Sequence, residues 1–458
     1  MLNENLKTKT GRLNAVILCM LALMLPALNS CKKESINTTD LLSTVPSSSS
    51  VVVGINLESL LKKSGCKVEG SEITPGEEVK GLLTKASTQS SKSGEIASVL
   101  LNGESGIDPV GAIYFRDAYN SYVTVAVAKT EKFKSFIEKE TGATFSDGGN
   151  DVQVCGNVAI KGAQAWIAEG TAIDPRAVAN YSVLESGQSF LAKDFSDKLA
   201  NMTSDIVGWG EISKLIGSRL SFSDRSTMRM ALGMLFDEAQ SVFFSVDMQK
   251  GEAKANVSVL NRDGKPSKYL LPTDKLDMET MKNVAYKANA IVGINITKDL
   301  VKKVGNILNS FGGSQMEKFA GALKSVDGTM ALAVGNLEDM DDSFRGVVTT
   351  DGKAGLDLMQ LISSIAPITK DGNLVRFSKG EVEGGLEVKT DAEYLKNATM
   401  GIVINLQSPS LAEKPGNVFK TLAVALVPDN GSVKCDVTIK AIDESRNILL
   451  PIVESLSK

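Results

Sequence analysis

Val51-Val52-Val53-Gly54-Ile55-Asn56-Leu57 runs into Leu60-Leu61-Lys62-Lys63 and Gly65, and the same order returns as Ala290-Ile291-Val292-Gly293-Ile294-Asn295-Ile296, then Leu300-Val301-Lys302-Lys303 and Gly305. One inserted residue aligns the copies. Each opens on β-branched residues suited to a strand and continues into a Leu/Lys pattern suited to an amphipathic helix. A second echo closes each copy: Lys254-Ala255-Asn256-Val257-Ser258-Val259 matches Lys434-Cys435-Asp436-Val437-Thr438-Ile439. Because both echoes keep their order, the chain reads as two tandem homologous halves, residues 51–263 and 286–458, joined by a linker at 264–285 that contains Pro266 and Pro272. The echoes are farther apart in the first half, which places insertions around 66–92 and 140–200. A weaker copy of the opening strand, Ile206-Val207-Gly208-Trp209-Gly210, has its counterpart in Ile402-Val403-Ile404-Asn405-Leu406.

Local patterns give the fold class. Leu300, Val304, Ile307, Leu308 and Phe311 share one helical face, as do Met316, Phe319, Ala320, Leu323 and Val326. Strands are expected at 240–248, 252–259, 344–349 and 432–441. Lys250-Gly251 and Asn430-Gly431 lie between paired runs as hairpin turns, Asn-Gly being the stronger signal. Hairpins with helices gathered on one face predict α+β halves, each a largely antiparallel sheet.

The first 30 residues carry an address. Lys7, Lys9 and Arg12 form a basic head, Ala15 to Leu25 is an unbroken apolar run, and Leu28-Asn29-Ser30-Cys31 follows Pro26. That is the layout of a secretory signal peptide. Its core falls short of the roughly 20 apolar residues needed to span about 30 Å of hydrocarbon. The tetrad resembles the lipobox of bacterial lipoproteins, with Leu28 and Ser30 matching and Asn29 an uncommon middle residue. The resemblance implies a diacylglyceryl group on the Cys31 thiol, cleavage before it and acylation of the freed amine. Several chains on one residue make a durable anchor, at about 0.8 kcal/mol per buried methylene. Lys32, in place of the Asp that retains many such proteins in the inner membrane, points to the outer membrane, with its periplasmic and surface faces both open. Residues 31–50, with four serines after Pro46, are expected to be the acylated Cys and a polar tether.

Composition narrows the chemistry. The chain has 50 basic and 54 acidic residues, net −4, so a nucleic-acid partner has no electrostatic support. It has no histidine, which removes Ser-His-Asp and Cys-His catalysis and nearly all zinc chemistry. Aromatic residues make up 5 %, with two tryptophans, Trp166 and Trp209, which counts against a sugar-binding platform. Cys66, Cys155 and Cys435 remain after the signal is lost, and three thiols cannot all pair in one chain. Cys435 falls on the apolar side of a strict alternation and reads as a core residue; Cys155 reads as the more exposed thiol.

Several residue patterns are candidates for chemistry. Ser59-Leu60-Leu61-Lys62 matches Ser-x-x-Lys, but its Lys-Thr-Gly partner occurs only at Lys9-Thr10-Gly11 inside the signal, so it reads as a helix turn. Glu338-Asp339-Met340-Asp341-Asp342 lacks the glycine and spacing of a calcium loop and reads as a solvated hairpin tip. Gly208-Trp209-Gly210 lacks the third glycine of a dinucleotide loop. Gly54 and Gly293, alike in both copies, read as sites of close packing. No pattern assigns a catalytic residue, a cofactor or a metal.

The lipobox, the following Lys32-Lys33, the Val45-Pro46-Ser47 entry and the repeated strand-helix unit together resemble a group of Bacteroidota lipoproteins of unknown function. The resemblance covers the signal and the start of each half. It implies an envelope lipoprotein and carries no catalytic residues. The expected function is an outer-membrane-anchored, non-enzymatic binding or scaffolding module, touching the membrane through Cys31 and a protein partner in the envelope. A carrier or chaperone for an apolar ligand or lipoprotein is the alternative, and a carboxylate- or Ser-Lys-based hydrolase the third reading.

Overall fold

The computed structural model describes residues 36–81, 104–118, 120–169, 172–217, 222–302, 321–340, 342–352, 356–412 and 417–450. The signal, the lipobox Leu28-Asn29-Ser30 and Cys31 lie outside these residues, as do most of the two helical faces expected from 300 to 326 and the end of the C-terminal stretch.

Eighteen strands share one antiparallel sheet. They are β1 (Val51–Ile55), β2 (Ile107–Arg116), β3 (Ser121–Val127), β4 (Ser146–Gly149), β5 (Val152–Cys155), β6 (Val158–Lys161), β7 (Gln164–Ala168), β8 (Ile206–Glu211) and β9 (Ser241–Gln249). They continue as β10 (Glu252–Leu260), β11 (Ala290–Ile296), β12 (Val326–Val334), β13 (Phe344–Thr350), β14 (Ile368–Asp371), β15 (Leu374–Lys379), β16 (Met400–Asn405), β17 (Phe419–Asp429) and β18 (Ser432–Ala441). The pairings follow a single path, β4-β5-β6-β7-β3-β2-β1-β8-β9-β10-β18-β17-β16-β11-β12-β13-β15-β14. Among the described residues, β4 and β14 each have one partner, so the ladder is linear.

The middle of the path is the pairing of β10 with β18, where Asn256 lies opposite Asp436. Outward from this pair the order is the same in both directions. On one side β1 lies between β2 and β8, with Gly54 opposite Ile113 and Val207. On the other, β11 lies between β12 and β16, with Gly293 opposite Ala331 and Gly401. Both outer hairpins shift register at one place, between Ile107 and Ala112 and between Val326 and Met330. The expected hairpins are present: Gly251 has φ 70° between β9 and β10, and Asn430 and Gly431 have φ 48° and 81° between β17 and β18, the left-handed pair that an Asn-Gly turn supplies.

The strand-to-helix unit is built as its sequence dictates. The Asn56 side chain accepts a hydrogen bond from Ser59 N at 2.8 Å and caps α2 (Leu57–Lys63), a contact worth about 1 kcal/mol. Glu58 in the first turn and Lys62 and Lys63 in the last oppose the helix dipole. Leu57, Leu60 and Leu61 are buried beneath it.

Helices do not gather on one face. α2 and the helix α3 (Thr130–Thr141) cover one side of β1, β2 and β3 through Leu57, Leu60, Phe133 and Ile137. The opposite side is covered by α1 (Thr39–Ser43) and by segments carrying Val178, Phe190 and Leu199, packed on Val52, Phe115, Trp166 and Trp209. Strands β1, β2 and β3 are apolar on both faces, and both faces therefore need a cover. The polar tether is folded from Ile36 onward, with Leu41, Leu42, Val45 and Ser49 buried, because Leu41, Leu42 and Val45 supply that second cover. The linker is also packed: it holds α4 (Met278–Lys282), and Leu276, Met281 and Val284 join the core. Cys155, expected to be exposed, is 1 % exposed for the same two-sided reason. The three thiols are free, Cys435 half-buried.

Gly54 and Gly293 do admit close packing. A Cβ on Gly54 would stand 2.4 Å from Met202 Sδ, and one on Gly293 would stand 2.6 Å from Met281 Sδ. No helix among the described residues is long and apolar enough to cross a membrane.

Candidate functional site

Ser59 does not face Lys62. The Ser59 hydroxyl donates to Asp205 Oδ1 at 2.7 Å, and Lys63 Nζ lies 2.6 Å from both Asp205 oxygens. Met248 N donates to Oδ2 at 2.6 Å. Asp205 is fully buried, whereas the Lys63 side chain is 25 % exposed. Lys62 lies instead 2.8 Å from Glu58, one turn back. A serine whose proton is held by a carboxylate, with its nearest amine ion-paired to that carboxylate, has no free base to activate it. This cluster fastens α2 to the start of β8 and to β9. Asp205, immediately before an apolar strand, gave no signal of this role in the sequence.

A cleft lies on the other face, where β8 and β10 end and β9 begins. It encloses about 660 Å³. Trp209 forms the floor, 5 % exposed. Its ring stacks on Phe195 at 5.4 Å and 25° and meets the edge of Phe190 at 5.5 Å. Lys193 Nζ stands 6.0 Å from the ring centre, at the limit of a cation–π contact. Trp209 Nε1 is buried and finds no hydrogen-bond partner among the described residues.

Two turns make the walls, one at 192–195 and one at 261–264. Asn261 Oδ1 shapes the second by accepting from Asp263 N and Lys265 N, both at 3.0 Å. Gly264 completes it at φ 73°, and a Cβ there would come within 2.7 Å of Phe195 Cδ1. Glycine is thus required twice over, for the left-handed backbone and for the close approach. Lys193, Asp194, Glu211, Arg262 and Asp263 surround the opening. Among the described residues none of the five forms an ion pair.

Across the seam the corresponding place is filled. Trp209 lies two residues beyond the partner of Gly54, and Val403 lies two beyond the partner of Gly293, so the pairing shifts the correspondence of these two strands by two residues from the one expected from the sequence, which set Trp209 against Asn405. Val403 is fully buried among Ile291, Leu386 and Val388. Glu211 N donates to Ser50 O, and in the same register Asn405 N donates to Asn289 O. Where Glu211 faces the cleft, Asn405 Nδ2 donates to Asn289 Oδ1 at 2.7 Å, Gly385 N donates to the same oxygen, and Asn289 Nδ2 donates to Gly335 O. The amides satisfy one another and the position is sealed.

Gly208-Trp209-Gly210 forms the middle of β8. Its glycines serve packing, since a Cβ on Gly208 would enter the Phe244 ring at 2.2 Å and one on Gly210 would meet Leu215 at 2.9 Å. The acidic turn at 338–342 stands between β12 and β13 with Met340 61 % exposed; Asp341 lies outside the described residues. No cluster of three metal-ligating side chains occurs among the described residues.

No protein-family model matches the chain. No curated protein matches it either. Two solved structures, crystal forms III and I of TP0453, align with 74 % of this chain and with 92 % and 91 % of their own, at 8 % and 9 % identity and TM-scores of 0.28 and 0.26. Similarity at that level carries no argument about fold or function.

Proposed function

We propose that the protein is an outer-membrane lipoprotein, held through an acylated Cys31, in which two homologous α+β halves are fused edge to edge as a non-enzymatic binding or scaffolding module of the cell envelope. The observation that carries the two-half reading is the seam. The repeat aligns Asn256 with Asp436, and these residues are cross-strand partners. An antiparallel contact centred on equivalent positions is what two copies of one unit make about a two-fold axis. Binding is supported by the departure from that symmetry: the Trp209 side has a cleft with unpaired charge, whereas the corresponding position on the other side is filled by Val403 and the Asn289–Asn405 amide pair. The Ser-Lys reading loses its support, since Ser59 is committed to Asp205.

A second reading, a carrier of an apolar ligand, draws on one further feature. Phe244, Val257, Cys435, Leu426, Met400 and Ile294 stand opposite one another in succession across the seam, and all are half-buried. Saturable uptake of a fluorescent fatty acid by the purified protein would favour it.

The address is tested at Cys31. Cys31→Ala should abolish incorporation of labelled fatty acid and move the protein from the membrane to the soluble fraction; unchanged labelling would sink the anchor.

A further inference from the structure

The Trp209 cleft combines features that select a ligand class. At about 660 Å³ it is in the range of small-molecule and peptide sites, roughly 300–1,000 Å³. Its opening carries three carboxylates, Asp194, Glu211 and Asp263, and two cations, Lys193 and Arg262. A purely anionic ligand would meet a net negative rim, and a purely cationic one would leave Lys193 and Arg262 without partners. A molecule with both charges separated by a short apolar body matches both sets. Phe195, stacked on Trp209, gives the cleft lining an apolar surface for that body.

Three observations set this cleft apart from an ordinary charged surface. Glu211 is half-buried at the end of a strand and forms no ion pair among the described residues. Trp209 Nε1 is a buried donor with no partner. The same register position in the other half is closed by the Asn289–Asn405 amide pair.

We infer that this cleft binds a short peptide with both termini free, its ammonium group held by Glu211 with Asp194 or Asp263, and its carboxylate held by Arg262 and Lys193. The inference rests on the reading of the protein as a binding module and gives that module a ligand class. Charge-assisted hydrogen bonds at both ends fix the peptide's direction, and the distance between them sets its length.

Trialanine is the probe, and tryptophan emission the readout, because Trp166 is 1 % exposed in the core and Trp209 floors the cleft. Trialanine should shift the emission of the full-length protein saturably, and Trp209→Phe should remove the shift. N-acetyl-trialanine and the Glu211→Gln variant should each bind at least about tenfold more weakly, about 1.4 kcal/mol. Arg262→Gln, a change on an exposed turn, should weaken trialanine similarly but leave trialanine amide unaffected. Circular dichroism checks that each variant is folded. Equal affinity for the acetylated peptide, equal affinity in Glu211→Gln, or no response of the unmodified protein to trialanine would each overturn the assignment. Membrane association should be unchanged in Glu211→Gln, so failure here is distinguishable from failure of the anchor at Cys31.

Discussion

Asp205 shows how much one residue can hide in a sequence. It is an ordinary acid ahead of an ordinary strand, yet it receives Ser59, Lys63 and the Met248 amide with no exposed surface of its own. Replacing it by Ala leaves the Lys63 charge without its partner and strands two further donors. Asp205→Ala should therefore lower stability by about 3 kcal/mol, and Ser59→Ala, which removes one hydrogen bond, by about 1 kcal/mol. Urea unfolding measures both, and a loss for Asp205→Ala no larger than for Ser59→Ala would refute the latch. Lys63, not Lys62, makes this contact because it is i+4 from Ser59 and shares its face of the helix. The Ser-x-x-Lys spacing looked one residue short of the pair that forms.

At the scale of elements, the repeated glycine was legible and its partner was not. At Gly54 and Gly293 a methionine sulfur occupies the place a Cβ would take, that of Met202 at the first and of Met281 at the second. Those methionines are 148 and 12 residues away in sequence, on elements of different kinds, so no local pattern links them to the glycines. Gly54→Ala should cost about 1–3 kcal/mol through overpacking. Met202→Ala should suppress part of that cost, and a thermal-unfolding double-mutant cycle reads the coupling. Additive losses would show that the methionine is not what the new methyl meets. The same two-sided covering accounts for the error over residues 36–50. A serine-rich stretch looks unable to form a core, but Leu41, Leu42 and Val45 were enough to close a face that the strands left apolar.

The whole molecule is organised about its seam. Asp436, at the centre, has its carboxyl raised above the ordinary range by burial, a shift that Lys434 at 3.9 Å opposes and Asp429 adds to. A raised carboxylate binds its proton more tightly in the folded chain than in the unfolded one. Its contribution to stability is therefore lost as pH rises from the ordinary carboxylate value through the raised one, and stays lost above it. Asp436→Asn should accordingly raise the urea midpoint at neutral pH, and the gain should shrink as pH falls through the raised value and vanish at the ordinary carboxylate value. A gain independent of pH would exclude the titration of Asp436 as its cause. The substitution also places Asn opposite Asn256, making the centre of the seam chemically symmetric.

The hairpins and the strand-to-helix order were legible in the sequence, because each depends on residues within one turn or one hairpin of each other; the caps were not, Asn56 holding the first helix and Thr297 the second. The sequence also marked Gly54 and Gly293 as places of close approach. Tertiary structure alone decided that the two runs closing the repeat, Lys254 to Val259 and Lys434 to Ile439, lie against each other and join everything into one sheet. It alone decided which faces are covered and by what, since a strand apolar on both sides looks the same whether its covers come from nearby or from 150 residues away. The cleft belongs to this second kind. Trp209 and Glu211 are neighbours in sequence, but Phe195, Arg262 and Gly264 reach them only through the fold, and the difference from Val403 and Asn405 can be seen only once the two sides are laid in register.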